Sequence, residues 1–181
     1  MTSLLMPDNT VLVNFARIGR MDLLRALVGA NGRWCGTVAD ECNRSALQPD
    51  LESLKEAHEI FGDPLLPETP QEHVDTQVFR SGFARPGDGP TKHLGEAETI
   101  AIVVNRKLDA SFVTDDEAAA LRATEQGIRT YTTWHLIRLA IRVGLLPFEE
   151  AWVHVIALEG HKRKHYPQLH SKSAFSLWCT A

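Results

Sequence analysis

Short apolar runs that give way at once to helical patterns set the strongest limit on how this chain can fold. SLLMP, RWCGTV, ASFVT and IRTYT each read as a short buried strand. Helical patterns lie between and after them: RMDLLRALV before Gly29, GEAETIAIVV from Gly95, DDEAAALRATEQ before Gly127, and TWHLIRLAIRVG ending at Gly144. Alternating strands and helices imply crossovers between parallel strands, hence an α/β architecture. NTVLVNFARIG is ambiguous: Val11, Val13 and Phe15 alternate as in a strand, while Val11, Leu12, Phe15 and Ile18 fit one face of a helix. An amphipathic helix is expected from near Asp50, behind Pro49, to Phe61. Residues 62–92 carry five prolines and are the least regular part, with a short helix around Glu72 to Phe83. A last helix runs from Pro147 to about Leu158, with Trp152, Val155 and Ile156 on one side.

At 181 residues the chain suffices for one well-cored domain, and 44% hydrophobic with 23% charged residues is ordinary for a soluble globular protein. No run approaches membrane-crossing length, and MTSLLMPDN lacks the basic flank of a secretory signal. Cys35, Cys42 and Cys179 are odd in number and fit no zinc or redox spacing, which points to free thiols in a reducing, cytoplasmic setting. The net charge of −4 divides unevenly, with a net of +3 over residues 151–181 and −7 over residues 1–150. An acidic body with a basic tail suits a polyanionic partner, and equally a solvated tail.

Acids gather where the strands end. Asp8 follows SLLMP, Glu41 follows GTV by three residues, Asp115 and Asp116 follow ASFVT, and Glu96 and Glu98 open their own helix. In open α/β sheets ligands bind beyond the carboxyl ends of the strands. Each acid alone is explained by helix capping, worth about 0.3–1 kcal/mol. Together they are harder to explain, because two carboxylates about 5 Å apart repel by roughly 3 kcal/mol at an effective dielectric of about 20. Some must therefore protonate, or a cation must join them. Mg²⁺ or Mn²⁺ suits an all-oxygen site, and such an ion serves attack on a phosphate ester.

The order of these motifs resembles that of PIN domains (PilT N-terminus). SLLMPDNTVLVNF is similar to their opening strand, acid and helix, GTVADECNR to their second acidic motif, LGEAETIAIVV to a GEAE-type third, and ASFVTDDEAAALRA to their fourth. GIRTYTTWHLIRLAIRVGLL resembles their closing strand and helix, so that the likeness covers about residues 3–146. The resemblance implies a three-layer α/β/α sandwich with a central, mainly parallel sheet, and makes NTVLVNFARIG a helix. It divides the chain into a PIN-like nuclease domain over 1–146 and a helical, basic extension over 147–181, packed on the same domain.

It also implies an Mg²⁺- or Mn²⁺-dependent ribonuclease hydrolysing RNA phosphodiesters, in many relatives the toxin of a bacterial toxin–antitoxin pair of the VapC type, and often a homodimer. RNA, an antitoxin protein and a second copy are then the expected partners. Asp8, Glu41, Glu96 and Asp115 or Asp116 would form the acidic quartet. Asp8 and Glu96 would be the first metal ligands, Asp115 or Asp116 would complete the shell, and Glu41 would orient water. Glu96 is preferred to Glu98 because Gly95 precedes it. Thr114 and Asn9 would bond water or phosphate at the rim, or serve as plain caps.

EGHKRKHY sets His161 and His165 four apart, as in a helical zinc pair, yet offers no third ligand; a basic patch on RNA phosphates fits it better. Trp134 and Trp152 sit in apolar helical patterns and read as core. No GxSxG and no glycine-rich phosphate loop is present. A receiver-type phospho-acceptor domain is a poor fit, since only Asp8 ends the first strand and IRTYT ends without lysine. The alternative to a nuclease is a non-catalytic PIN-like module that binds RNA or protein.

Overall fold

The computed structural model describes residues 3–85, 87–161 and 170–181. The described residues form a mixed α/β fold in which ten α-helices surround an open sheet of three parallel strands. The strands are β1 (Leu4–Pro7), β2 (Ala110–Val113) and β3 (Arg129–Tyr131), in that spatial order, with Leu4 opposite Ala110 and Ser111 opposite Arg129. Between β1 and β2 come α1 (Asn9–Arg17), α2 (Met21–Val28), α3 (Gly36–Ser45), α4 (Ala57–Phe61), α5 (Pro70–Phe83) and α6 (Leu94–Asn105). Helix α7 (Glu117–Glu125) links β2 to β3, and α8 (Thr133–Arg142), α9 (Phe148–Gly160) and α10 (Lys172–Thr180) close the chain. No helix among the described residues is long and apolar enough to cross a membrane.

NTVLVNFARIG is helical, with Asp8 capping α1. RWCGTV is not the strand its apolar character suggests. Its pairing shrinks to isolated bridges, Leu5 with Gly32 and Cys35 with Leu65, and α3 begins at Gly36. The reason is a partner distant in sequence: the Glu98 carboxylate accepts from the Thr37 N–H (2.9 Å) and hydroxyl (2.8 Å), satisfying a first-turn donor of the helix. The two bridges nevertheless continue the sheet outward from β1. In space the order runs Leu65, Gly32–Cys35, β1, β2, β3, so the winding reverses between β1 and β2. That reversal is where an α/β sheet opens a crevice at its carboxyl end.

Three further segments differ from the sequence reading. The helix expected over Asp50–Phe61 splits into a 3₁₀ stretch, Glu52–Glu56, and α4. Buried Leu51, Leu54 and Ala57 recur every third residue, the period of a 3₁₀ helix. Helix α5 starts two residues early, because Thr69 and Glu72 form a reciprocal capping box with Pro70 in the first turn. On α9 the buried stripe is Ala151, Val155 and Leu158, which leaves Ile156 half-exposed rather than beside Val155. Helix α10, where the periodicity is weak, buries Phe175 and Cys179 in the same cluster as α9. All three cysteines are free and buried.

The strand side chains enter two hydrophobic clusters in alternation. Met6, Ala110 and Phe112 join Ala97, Ile100 and Val103 of α6 and Ala119 and Ala123 of α7. Val113, with Leu5 against it, joins α1, α2, α3, α8 and the C-terminal helices around fully buried Trp34 and Phe15. Helix α6 contributes to both clusters and is buried nearly all round.

Helices α5 and α6 are tied at one end by a buried ion pair. Glu72 accepts from Arg106 Nε (2.7 Å) and Nη2 (3.1 Å) and from the Glu68 N–H (2.6 Å), and the Arg106 bonds hold its carboxyl down at about 2. A depressed carboxyl stabilises the fold above its ordinary value of 4.5 and loses that contribution as pH falls toward 2. Glu72→Gln is therefore expected to cost about 1–3 kcal/mol in urea unfolding at pH 7, since Arg106 keeps part of its hydration. The gap between variant and wild type should narrow as the pH falls below 4.5 toward about 2.

Candidate functional site

The carboxyl ends of β1 and β2 place the first acids. Asp8 follows β1, is 3% exposed, and accepts from the Asn9 N–H (2.7 Å) and the Thr10 hydroxyl (2.5 Å). After β2, buried Thr114 donates its N–H to the Tyr131 carbonyl (2.9 Å), and its hydroxyl accepts from the Asp116 N–H (3.1 Å). Asp116 caps α7 by accepting from the Ala119 N–H (2.9 Å). Helix α3 supplies Glu41 from its second turn, not the first, and α6 supplies Glu96 from its first.

These side chains meet. Burial, then the charges of Glu96 and Glu41, push Asp8 up to about 7, against the lowering effect of its bonds from Thr10 and Asn9. Burial, then Glu96, pushes Glu41 up to about 7 as well, with Arg44 opposing. Glu96 also lies with Asp116 and His93 in a group whose ligand atoms are all within 4.8 Å of one another. Glu96 is thus the shared member: its charge acts on Asp8 and Glu41, and its carboxylate lies with Asp116 and His93.

The GEAE stretch explains itself residue by residue. A Cβ on Gly95 would meet Glu41 Oε2 at 3.3 Å and Val38 at 3.1 Å, so glycine lets Glu41 lie across the first turn of α6. Glu96 points to the acids, Ala97 is fully buried, and Glu98 turns away to hold Thr37 of α3. The two glutamates are therefore not equivalent: one is a site residue and the other a latch between helices.

Asp115 plays a different part from Asp116. Its carboxylate accepts from Asn14 Nδ2 (2.8 Å), the Thr133 N–H (2.9 Å) and the Thr133 hydroxyl (2.6 Å), which joins α1 and the start of α8 to the end of β2. Asn14 is 1% exposed, and with both amide protons used by Asp115 and Thr133 its Oδ1 has no partner. Asn9 donates to Ser45 (3.1 Å), and its Oδ1 is also buried without a partner. Buried orphaned carbonyl oxygens are uncommon and need an explanation.

A cleft of about 510 Å³ opens over this region, lined among others by Asn14, Asp115, Asp116, His93, Arg85 and Lys92. The basic residues and His93 come from the connection between α5 and α6. His93 was not singled out from the sequence; its one signal is the three-residue step to Glu96. Its backbone is left-handed (φ 63°), its Nδ1 lies 3.3 Å from Glu96 Oε1, and its ring packs on Phe83 at 5.6 Å. Of the histidine pair, His161 bonds Arg17 (3.2 Å), while Lys162, Arg163, Lys164 and His165 lie outside the described residues. Trp134 is buried and Trp152 partly so, as core residues.

Carboxylates from four elements, two of them (Asp8 and Glu41) with raised proton affinity, gather beside orphaned acceptors, an arrangement suited to positive charge. Between 3.8 and about 7 the folded state keeps a proton on Asp8 that the unfolded chain has released, so stability falls as pH rises through that window. Glu41 adds the same trend from 4.5 to about 7. Asp8→Asn, which keeps a good N-cap, is expected to raise the melting temperature of metal-free protein at pH 8 and to leave it nearly unchanged at pH 4. Differential scanning calorimetry at the two pH values checks this.

No family model matches the chain and no curated protein is significantly similar to it, so the chemistry of the site rests on its own residues.

Proposed function

We propose that the chain is a metal-dependent endoribonuclease with a PIN-like, three-layer α/β/α architecture. The observation that carries this reading is the convergence of Asp8, Glu41, Glu96 and Asp116 at the winding reversal of a parallel sheet. The entry of alternate strand residues into two helix-covered clusters supports the layered architecture.

The donors fit Mg²⁺ or Mn²⁺, hard ions that prefer carboxylate and carbonyl oxygens and retain several waters. Glu96 and Asp116, which already lie together, would hold the ion with Asp8 drawn in beside Glu96, and the free Oδ1 atoms of Asn9 and Asn14 would accept from its waters. When bound, such an ion activates water and offsets charge on a phosphodiester. Glu41, held beside Glu96 across Gly95, orients the attacking water. Asp115 acts at one remove by fixing Asn14 and the start of α8. Arg85 and Lys92 face the same cleft, and their positive charge draws in the RNA backbone that bare carboxylates repel. A role as the toxin of a toxin–antitoxin pair, a protein antitoxin and a homodimeric state follow from the PIN resemblance and belong to the proposal.

Incubation with mixed cellular RNA tests the reading. Cleavage is expected with Mn²⁺ or Mg²⁺ and none with EDTA. Outer-shell changes at metal sites already cost 10–100-fold, so Asp8→Asn and Glu96→Gln should each lower the rate by at least about a hundredfold. RNA retained but uncut with either ion would instead support a non-catalytic binding module. Glu98→Gln separates the two glutamates: it should lower the melting temperature and keep metal-dependent cleavage per folded molecule. Loss of cleavage at full stability would reverse the assignment of Glu96 and Glu98.

A further inference from the structure

We propose that His93 supplies a nitrogen ligand to the cation held by Glu96 and Asp116 and so biases the site toward Mn²⁺ over Mg²⁺, an inference that rests on the metal site proposed above. His93, Glu96 and Asp116 each bring one ligand atom into a group spanning no more than 4.8 Å, the only such trio of His, Cys, Asp or Glu among the described residues. The histidine lines the same cleft as Asp116 and Asn14.

The ring lies between two carboxylates, as the ring of a ligating histidine does, with Asp88 just beyond hydrogen-bond distance. One ring nitrogen, Nδ1, lies 3.3 Å from Glu96 Oε1, and the other, Nε2, lies 4.0 Å from Asp88 Oδ2. Metal-bound histidines characteristically turn their second nitrogen to a carboxylate, which fixes the tautomer and orientation and raises ligand basicity. Asp88 is itself anchored, accepting from the Arg85 N–H (2.9 Å) and from Lys92 Nζ (2.5 Å). Phe83 packs against the ring, and the side chain is 14% exposed. A second, independent feature of the cleft points to a ligand: Asn14, 1% exposed, has an Oδ1 with no partner.

The chemical consequence is selectivity. A site of oxygens alone suits Mg²⁺, whereas an imidazole nitrogen favours transition ions over alkaline-earth ones. His93 stands at the start of α6, three residues before Glu96, so a single side chain adds softness to an otherwise hard donor set. The oxygen ligands still bind Mg²⁺ without it.

Pulsed electron paramagnetic resonance on the Mn²⁺-loaded full chain tests this directly, because a coordinated imidazole imprints ¹⁴N modulation on the Mn²⁺ signal. The variant is His93→Asn, since asparagine is among the residues that best tolerate a left-handed backbone. The wild type should show the ¹⁴N coupling, and His93→Asn should lose it. The variant should also bind Mn²⁺ more weakly by on the order of tenfold, with Mg²⁺ affinity changed by no more than about twofold. Asp88→Asn should retain the coupling and weaken Mn²⁺ by a comparable factor. Mn²⁺ bound without ¹⁴N coupling, or equal losses of Mn²⁺ and Mg²⁺ in His93→Asn, would overturn the histidine ligand alone. Failure of the wild type to bind either ion would overturn this inference together with the metal site itself.

Discussion

Mutual repulsion of carboxylates in a buried place governs the rest of this structure. Asp8, Glu41 and Glu96 have been brought together at one end of a sheet, where burial and proximity raise the proton affinity of two of them to about neutrality. Such an arrangement survives only if each acid is held by something stronger than the repulsion. Asp8 is fixed as a helix cap, Glu41 lies in the space that Gly95 leaves open, and Glu96 rides on a helix buried nearly all round. Rigid elements with short, local reasons for their conformation thus hold groups that would otherwise separate.

The connection between α5 and α6 balances this negative floor. It carries Arg85, Lys92 and His93 to the lining of the cleft, and Asp88 organises it internally through the Arg85 N–H and Lys92. The Glu72–Arg106 pair ties α5 to the end of α6, so the connection spans two helices whose relation is already set. Acids come from the sheet and its first helices, bases from an excursion between two later ones. The two signs of charge at the cleft thus come from separate parts of the chain.

What could be read from the sequence follows this division. The placement of Asp8, Glu96 and the Asp115–Asp116 pair at element ends was legible, because it depends on where a strand stops or a helix starts, which apolar runs and glycines mark locally. Helices α6, α7 and α8 were legible for the same reason, whereas the residues of α1 fit a strand as well as a helix and only the PIN resemblance favoured the helix. RWCGTV was misread because an apolar run does not reveal that Glu98, some sixty residues later, will capture the Thr37 N–H and turn the chain (the separation is 61 residues). His93 escaped notice because its place depends on the path of a proline-rich connection. Asp115 and Asp116 are indistinguishable as letters; only the position of Asn14 and Thr133 gives one a tie and the other an open oxygen.

The pairing of β1 with β2 has a consequence for how the protein comes to be folded. Leu4 lies opposite Ala110, so the central ladder of the sheet closes a loop of more than a hundred residues. Loop closure of that length is entropically unfavourable, and non-local parallel pairing is intrinsically slow. Helices α1 to α6 have local signals and can form ahead of it, but Asp8 and Asp116 belong to strands that meet only when the ladder zips. On a ribosome, β1 waits for the chain to grow past β2 before it finds its neighbour. The acid cluster is therefore assembled late, and a nascent or partly folded chain does not carry it.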